Sequence, residues 1–230
     1  MLIKGLAKLT LLDYPAHVAC TVFTGGCNFR CPFCHNASLV ERAVTLPDID
    51  EAEFFSFLDK RRGVLDGVCV SGGEPLLMPD LADFLGRIKE RGYAVKLDTN
   101  GSFPDRLAAL IDHGLIDMVA MDIKNSPEKY PLTTGIPTLD IAAIQESADL
   151  LMRGTLPYEF RTTVVKELHS AEDFEKIARW LHGARAYYLQ SFLDSGDVLT
   201  TGLHPHTKET LTEFLYLVQK HIPCSYLRGI

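Results

Sequence analysis

The sequence of 230 residues lacks the features that would place it in a membrane or on a nucleic acid. No stretch approaches the roughly 18–20 apolar residues that span a bilayer, and the N-terminal segment has no apolar core typical of a secretion signal. Basic residues are fewer than acidic ones, and the net charge is −7. Nucleic acids and acidic lipid surfaces are bound by basic faces. We therefore expect a cytoplasmic protein that binds no nucleic acid and no membrane.

The cysteines are unevenly distributed along the chain. The chain has six cysteines, and in a reducing cytoplasm such thiols are ligands or catalytic groups rather than disulfides. Three of them stand alone along the chain: Cys20, Cys69 and Cys224. The other three, Cys27, Cys31 and Cys34, lie close together. This asymmetry points to one small centre held by neighbouring thiols.

The chain has no low-complexity tract or readable repeat, but short apolar runs alternate with helical patterns. Six runs predict buried parallel strands at residues 19–24, 67–71, 94–99, 117–123, 159–165 and 186–191. Successive β–α units imply right-handed crossovers. Since a complete eight-unit barrel takes about 250 residues, we predict an α/β fold, a partial (β/α)6 barrel of parallel strands. Residues 1–230 are expected to form a single domain.

Amphipathic helices are predicted between these strands. Apolar residues recur at helical spacing around residues 81–88, 107–111, 141–151, 174–181 and 211–218. Gly92, Gly114 and Gly154 follow three of these patterns as stop signals. Ser170 is a predicted N-cap, with Asp173 three residues later.

Polar and glycine-rich segments follow the predicted strands. Parallel α/β folds place their chemistry at the C-terminal ends of strands. The segments found there are 24–27, 71–75, 98–101, 122–124 and 190–191, and Arg161 lies within the fifth predicted strand. Because a scaffold alone does not require this clustering, we expect the functional site at this edge of the sheet.

The clustered cysteines have the spacing C-x3-C-x2-C. A structural zinc site with His35 as fourth ligand is one alternative, and inert buried cysteines beside Phe29 and Phe33 are another. Structural zinc sites usually pair two such ligands with two distant ones, which disfavours the first. A [4Fe–4S] cluster normally takes four thiolates. Three thiolates leave one iron open to a reacting molecule.

The segment T-G-G-C-N-F-R-C-P-F-C-H-N and the later G-G-E-P resemble the radical S-adenosylmethionine (SAM) superfamily in order and spacing. The resemblance implies that Cys27, Cys31 and Cys34 are the catalytic cluster ligands and that SAM chelates the open iron. An electron from the cluster would break the S–C5′ bond of SAM. The resulting 5′-deoxyadenosyl radical would abstract hydrogen from a substrate.

Further SAM contacts are implied by the same resemblance. Gly72, Gly73, Glu74 and Pro75 match the motif that holds the amino group of SAM, and glycine lets backbone approach a ligand closely. Phe33 resembles the aromatic residue that packs against adenine. Ordinary core packing is an equal alternative for this ring.

Two later segments resemble those of glycyl-radical enzyme activases. Asp98, Thr99 and Asn100 match a D-T-N-G segment, and Asp122 and Lys124 match a D-x-K segment near SAM. Helix capping or a turn is the alternative for the two aspartates.

The resemblance implies two further roles, in binding a monovalent cation and the carboxylate of SAM. In the pyruvate formate-lyase activating enzyme, aspartates at matching positions help bind a monovalent cation, which the resemblance places near Asp98 and Asp122. Ala120 replaces the residue found there in that enzyme. Arg161 is a candidate partner for the SAM carboxylate, a bidentate geometry that arginine favours, with a strand-end salt bridge as the alternative.

Residues 3–36, with I-K-G-L, L-D-Y-P and the cysteine segment, resemble the activating protein of anaerobic ribonucleoside-triphosphate reductase. The implied activity is hydrogen abstraction from a glycine of a partner enzyme, with a low-potential donor such as flavodoxin or ferredoxin. Only Cys69 and Cys224 follow the trio, so no auxiliary cluster is expected. The alternatives are an activase of pyruvate formate-lyase or another glycyl-radical enzyme, a small-molecule enzyme such as a 7-deazaguanine synthase, and a non-enzymatic metal-binding module.

Overall fold

The computed structural model describes residues 1–230 and contains eight strands and eight α-helices. The strands are β1 (Ile3–Thr10), β2 (Ala19–Thr24), β3 (Gly67–Gly72), β4 (Ala94–Thr99), β5 (Met118–Asp122), β6 (Tyr158–Val164), β7 (Tyr187–Ser191) and β8 (Ser225–Arg228). The helices are α1 (Ala37–Glu41), α2 (Glu51–Asp59), α3 (Leu81–Lys89), α4 (Pro104–Asp112), α5 (Tyr130–Thr134), α6 (Ala142–Arg153), α7 (Ala171–Trp180) and α8 (Lys208–Gln219). None of the helices is long and apolar enough to cross a membrane.

The strands form one mostly parallel sheet, in the order β1 to β8. β1 is antiparallel to β2, whereas the pairs β2–β3, β3–β4, β6–β7 and β7–β8 are parallel. All six predicted strands are present, with bounds that differ by at most one residue. The predicted α/β fold with a sheet of parallel strands is therefore confirmed.

Two strands were not predicted. β1 lies at the edge of the sheet, and among its residues only Ile3 is buried, so it lacks the apolar run of a central strand. β8 has only four residues, too few to display a period of two. Both extend the sheet beyond the six predicted β–α units.

The predicted helices are present as α3, α4, α6, α7 and α8. Gly92 and Gly114, which follow α3 and α4, have φ of +83° and +64°, the left-handed conformation expected after a helix. Gly154 ends α6 differently, with an extended backbone at φ −78° and ψ 177°. The three helices that were not predicted include α1 and α5, each of five residues and too short to show a periodic stripe.

The chain divides into two compact units, which are described separately. The first consists of Met1–Asn28, Ser38–Thr99 and Phe103–Ala120, and the second of Phe29–Ala37, Asn100–Ser102 and Met121–Ile230. In the first, the rings of Phe54 and Phe84 stack at 5.4 Å and join α2 to α3. In the second, Phe174 and Phe214 stack at 4.9 Å and join α7 to α8. The single domain over residues 1–230 stays a prediction.

Candidate active site

Two glycine-rich loops of the first unit are in direct contact. The backbone N–H groups of Gly73 and Glu74 donate to the carbonyls of Thr24 and Gly26, at 3.0 and 2.9 Å. A side-chain Cβ at Gly73 would lie only 1.8 Å from the Gly26 oxygen. Gly72 has φ +116°, which favours glycine. These glycines are thus needed for the approach of one loop to the other, whatever they contribute to ligand binding.

Glu74 is a fully buried carboxylate in the first unit. It accepts the backbone N–H of Leu76 at 3.0 Å and the hydroxyl of Thr99 at 2.8 Å. Pro75 is buried and begins the single helical turn that Glu74 caps. Glu74 and Thr99, which the sequence predicts to serve one ligand, are therefore joined directly.

Asp98 lies on β4 and is held by two side chains of the same unit. Its carboxylate forms an ion pair with the ammonium of Lys96 and accepts the hydroxyl of Ser71 at 3.0 Å. The Lys96 ammonium also lies 3.9 Å from the Cys69 sulfur. Lys96 is 1% exposed, so this is a buried ion pair.

Asn100 and Gly101 belong to the second unit and form a turn. The Asn100 side chain accepts the backbone N–H of Ser102 at 3.0 Å and its hydroxyl at 2.6 Å. Gly101 has φ +78°, and a Cβ there would lie 2.2 Å from the Met121 methyl group. The Asn100 side chain therefore stabilises this turn.

Asp122, Lys124 and Arg161 form a charged cluster in the second unit. Asp122 pairs with the Lys124 ammonium at 2.9 Å and with the Arg161 guanidinium at 2.9 Å. Burial favours the neutral acid, but the Arg161 and Lys124 cations hold the pKa of Asp122 well below its usual range. Burial also disfavours the charged lysine, yet Asp122 and Cys31 keep the pKa of Lys124 above its ordinary value. All three side chains are therefore ionised at neutral pH.

Two buried side chains of the second unit form hydrogen bonds with the backbone of Lys124. The Tyr130 hydroxyl accepts the backbone N–H of Lys124 at 3.1 Å, and the buried His169 ring contacts the Lys124 carbonyl through Nε2 at 2.9 Å. Phe33 packs edge-on against His169, with ring centroids 6.4 Å apart. The Phe33 ring is 3% exposed, which agrees with core packing.

None of the three clustered cysteines forms a disulfide. Cys27 belongs to the first unit and is half-buried, while Cys31 and Cys34 belong to the second. Burial raises the pKa of the Cys34 thiol, an effect that the Asn36 backbone and the Lys124 cation oppose. A nearby ammonium such as that of Lys124 stabilises thiolates, which are the form that binds iron.

The structure contains no group of three or more His, Cys, Asp or Glu side chains arranged to hold a metal ion. His35, the alternative fourth ligand, stacks on Phe192 with ring centroids 5.4 Å apart. The zinc alternative therefore finds no support in the geometry. A four-iron cluster differs because each thiolate binds a separate iron, and Cys31 and Cys34 of the second unit, both near the Lys124 cation, supply donors of the kind that it takes.

The profile of the radical SAM superfamily matches residues 21–181 of the chain. The chain belongs to the radical SAM superfamily. It is accordingly a radical SAM enzyme that uses a [4Fe–4S] cluster and SAM. The matched segment includes the cysteine trio, the Gly72–Pro75 motif, Asp98, Asp122 and Arg161.

Curated relatives of this radical SAM enzyme include activases. A Methanocaldococcus jannaschii protein, provisionally named glycyl-radical enzyme activating enzyme MJ1227, is 34% identical over 100% of this chain and 96% of its own length. A pyruvate formate-lyase-activating enzyme of Clostridium pasteurianum is 32% identical over 58% of this chain and 57% of its own. A 7-carboxy-7-deazaguanine synthase of Methanopyrus kandleri is 36% identical over 43% and 46%, respectively.

Solved structures support the fold. Streptococcus suis SuiB bound to the precursor peptide SuiA matches with a TM-score of 0.72 at 13% identity, over 91% of this chain and 48% of that one. A domain of a pyruvate-formate lyase-activating enzyme from Bacteroides vulgatus matches with a TM-score of 0.58 at 16% identity, over 71% of this chain and 99% of that one. The α/β fold is thus that of radical SAM partial barrels.

Three residues around the site escaped sequence analysis: Lys96, Tyr130 and His169. Lys96 left a signal, since a lysine between Val95 and Leu97 inside an apolar strand needs a buried partner. Tyr130 and His169 left none, because they act on the Lys124 backbone from 6 and 45 residues away.

Proposed function

We propose that the chain is a glycyl-radical enzyme activating enzyme, and that its partner is anaerobic ribonucleoside-triphosphate reductase. The similarity to the Methanocaldococcus relative, which spans almost the full length of both chains, carries the activase proposal. The pattern of residues 3–36 supports the choice of partner. A low-potential donor such as flavodoxin or ferredoxin would reduce the enzyme. None of the six cysteines forms a disulfide, which agrees with the cytoplasmic location that we propose.

The residues of the chain have distinct roles in this proposal. When bound, the cluster and SAM supply the radical that removes a glycine hydrogen. Cys27, Cys31 and Cys34 would hold the cluster, and the buried Glu74 would receive the amino group of SAM. The Arg161 guanidinium would bind the carboxylate of SAM, and the Lys124 ammonium would lie near SAM. We propose that the remaining residues predicted from the sequence also contact SAM: Phe33, Gly72, Gly73, Pro75, Asp98, Thr99, Asn100 and Asp122.

One experiment tests the activase and its partner together. The chain is reconstituted anaerobically with iron and sulfide, then mixed with SAM, a reductant and a candidate glycyl-radical enzyme. We expect the electron paramagnetic resonance doublet of a glycyl radical with the anaerobic reductase as partner. Cys31→Ala should abolish the doublet and lower the iron content, because the cluster loses a ligand. Cys224→Ala, which changes an exposed cysteine outside the trio, is the matched control and should leave both unchanged.

Other outcomes assign other functions. A doublet formed only with pyruvate formate-lyase would retain the activase and replace the partner. SAM consumption that requires a small heterocycle, with no protein radical, would instead favour the deazaguanine synthase alternative, which the 36% identity over part of the chain motivates. A full iron content in Cys31→Ala would refute the ligand assignment.

A further inference from the structure

Lys96 places a positive charge inside the first unit. Its side chain is 1% exposed, and its ammonium pairs with Asp98, two residues along β4. Residues two apart on a strand share one face of the sheet. A buried ammonium is costly unless it is paired and hydrogen-bonded. Both members of the ion pair thus lie on β4, and Asp98 does not rely on a flexible surface side chain for its cation.

The pair adjoins the candidate SAM site of the same unit. The second carboxylate oxygen of Asp98 accepts the Ser71 hydroxyl at 3.0 Å. The next residue, Thr99, donates its hydroxyl to Glu74 at 2.8 Å. Thr99, whose hydroxyl binds Glu74, directly follows Asp98. A change of charge at Asp98 would therefore be felt next to the Thr99–Glu74 hydrogen bond.

A metal cation fits poorly at this aspartate. It would have to approach a carboxylate that already pairs with an ammonium, and two like charges within a few ångström repel each other. On β5, Ala120 offers no side-chain oxygen or sulfur as a ligand. The monovalent cation expected from the resemblance therefore conflicts with the residues present in the first unit.

We propose that the Lys96 ammonium is a tethered cation that takes the place of a monovalent metal ion at Asp98. Lys96 is then a positioning residue, because it compensates Asp98 and keeps the adjoining Thr99–Glu74 pair ready for SAM. The inference rests on the SAM chemistry of the superfamily and is independent of which partner enzyme is activated. Its test can therefore fail while the activase proposal stands.

The test compares salts of equal ionic strength that contain potassium, sodium or the bulky tetramethylammonium ion. SAM affinity is measured by calorimetry on the reconstituted protein, and thermal unfolding on the cluster-free chain. Wild type should show the same SAM affinity and the same unfolding midpoint in all three salts. Lys96→Met should bind SAM about tenfold more weakly in tetramethylammonium, the loss expected for one charge-assisted contact. Potassium or sodium should restore part of that affinity by entering the vacated position.

Lys60→Met is the matched control, because this exposed lysine lies in the same unit at the end of α2. It should behave as wild type in every salt. Weaker SAM binding by wild type in tetramethylammonium than in potassium would overturn the proposal, as would unchanged binding by Lys96→Met in all salts. If Lys96→Met does not fold, the wild-type comparison still decides, and Lys96→Arg should retain salt-independent binding because it keeps the charge.

Discussion

His169 connects the aromatic packing at Phe33 to the backbone of the charged cluster. Its Nδ1 atom accepts the backbone N–H of Val165 at 3.0 Å, which leaves Nε2–H to donate to the Lys124 carbonyl at 2.9 Å. The ring is neutral in this arrangement, and a proton added at Nδ1 would displace the Val165 N–H and face the Val165 carbonyl oxygen at 3.3 Å. The position of Lys124 therefore depends on the protonation state of a buried histidine.

We predict that His169 makes stability depend on pH in the mildly acidic range. Burial lowers the pKa of His169 more than the Lys124 and Val165 carbonyls and the nearby Asp173 raise it, and His206 lowers it further. The unfolded chain takes up a proton below about pH 6.5 that the folded ring resists. The stabilisation is thus complete above that pH and is lost as pH falls toward the folded pKa. Urea unfolding should show a wild-type slope up to about 1.4 kcal/mol per pH unit steeper than that of His169→Gln.

His113→Gln serves as control for this prediction, because His113 is exposed on the other unit. Its pH slope should match that of wild type. If His169→Gln keeps the full wild-type slope between pH 7.5 and 5, other groups cause the dependence.

At the scale of single residues, the sequence predicts which side chains serve the site better than it predicts the contacts between them. The cysteine spacing predicts a ligand trio because the pattern is local, and the Asp122–Lys124 pair joins two neighbouring positions of the sequence. The contact of Arg161 with Asp122 joins positions 39 residues apart, and no local pattern specifies it. Spacing along the chain thus suggests which residues serve the site, whereas their mutual contacts require the folded structure.

At the scale of single elements, α7 shows how a predicted cap acquires a second role. Asp173 accepts the backbone N–H and the hydroxyl of Ser170 at 2.9 and 2.7 Å, as the predicted N-terminus implies. It also accepts the Ser126 hydroxyl at 3.0 Å and the Lys129 ammonium at 2.6 Å. The start of α7 is therefore tied to the segment that precedes α5. The sequence predicts the cap, because it is local, but not the long-range contacts.

We predict that Asp173→Ala is strongly destabilising. It leaves the buried Ser126 hydroxyl and the Ser170 groups at the start of α7 without their acceptor, at a cost of about 3 kcal/mol for charge-assisted hydrogen bonds. The free energy of unfolding in urea measures the loss. Asp105→Ala, an exposed acid in the first turn of α4, should change it by less than about 0.5 kcal/mol. Equal effects of the two substitutions would show that only the helix terminus matters.

At the scale of the whole molecule, the sheet is larger than the sequence predicts. The six internal strands are apparent because each is an apolar run, but the strands at the two ends of the sheet order depend on their pairing partners. β8 pairs with β7, and its Arg228 forms a double contact with Glu159 of β6, at 3.1 Å for each nitrogen. Arg228 also lies over the Tyr188 ring, 3.8 Å from its centroid. The last strand therefore neutralises a carboxylate two strands away.

Glu159 provides the test of this contribution, because it is 2% exposed and Arg228 is its cation. Arg228→Met should lower the free energy of unfolding by about 2 kcal/mol, since it leaves a buried carboxylate unpaired. In the double variant Arg228→Met/Glu159→Gln the loss should be smaller than the sum of the single effects, because the carboxylate is gone as well. Arg153→Met, which changes a basic residue at the end of α6 in the same unit, is the control. If the effects of Arg228→Met and Glu159→Gln are additive, the ion pair does not stabilise β8, and backbone pairing and packing alone do so.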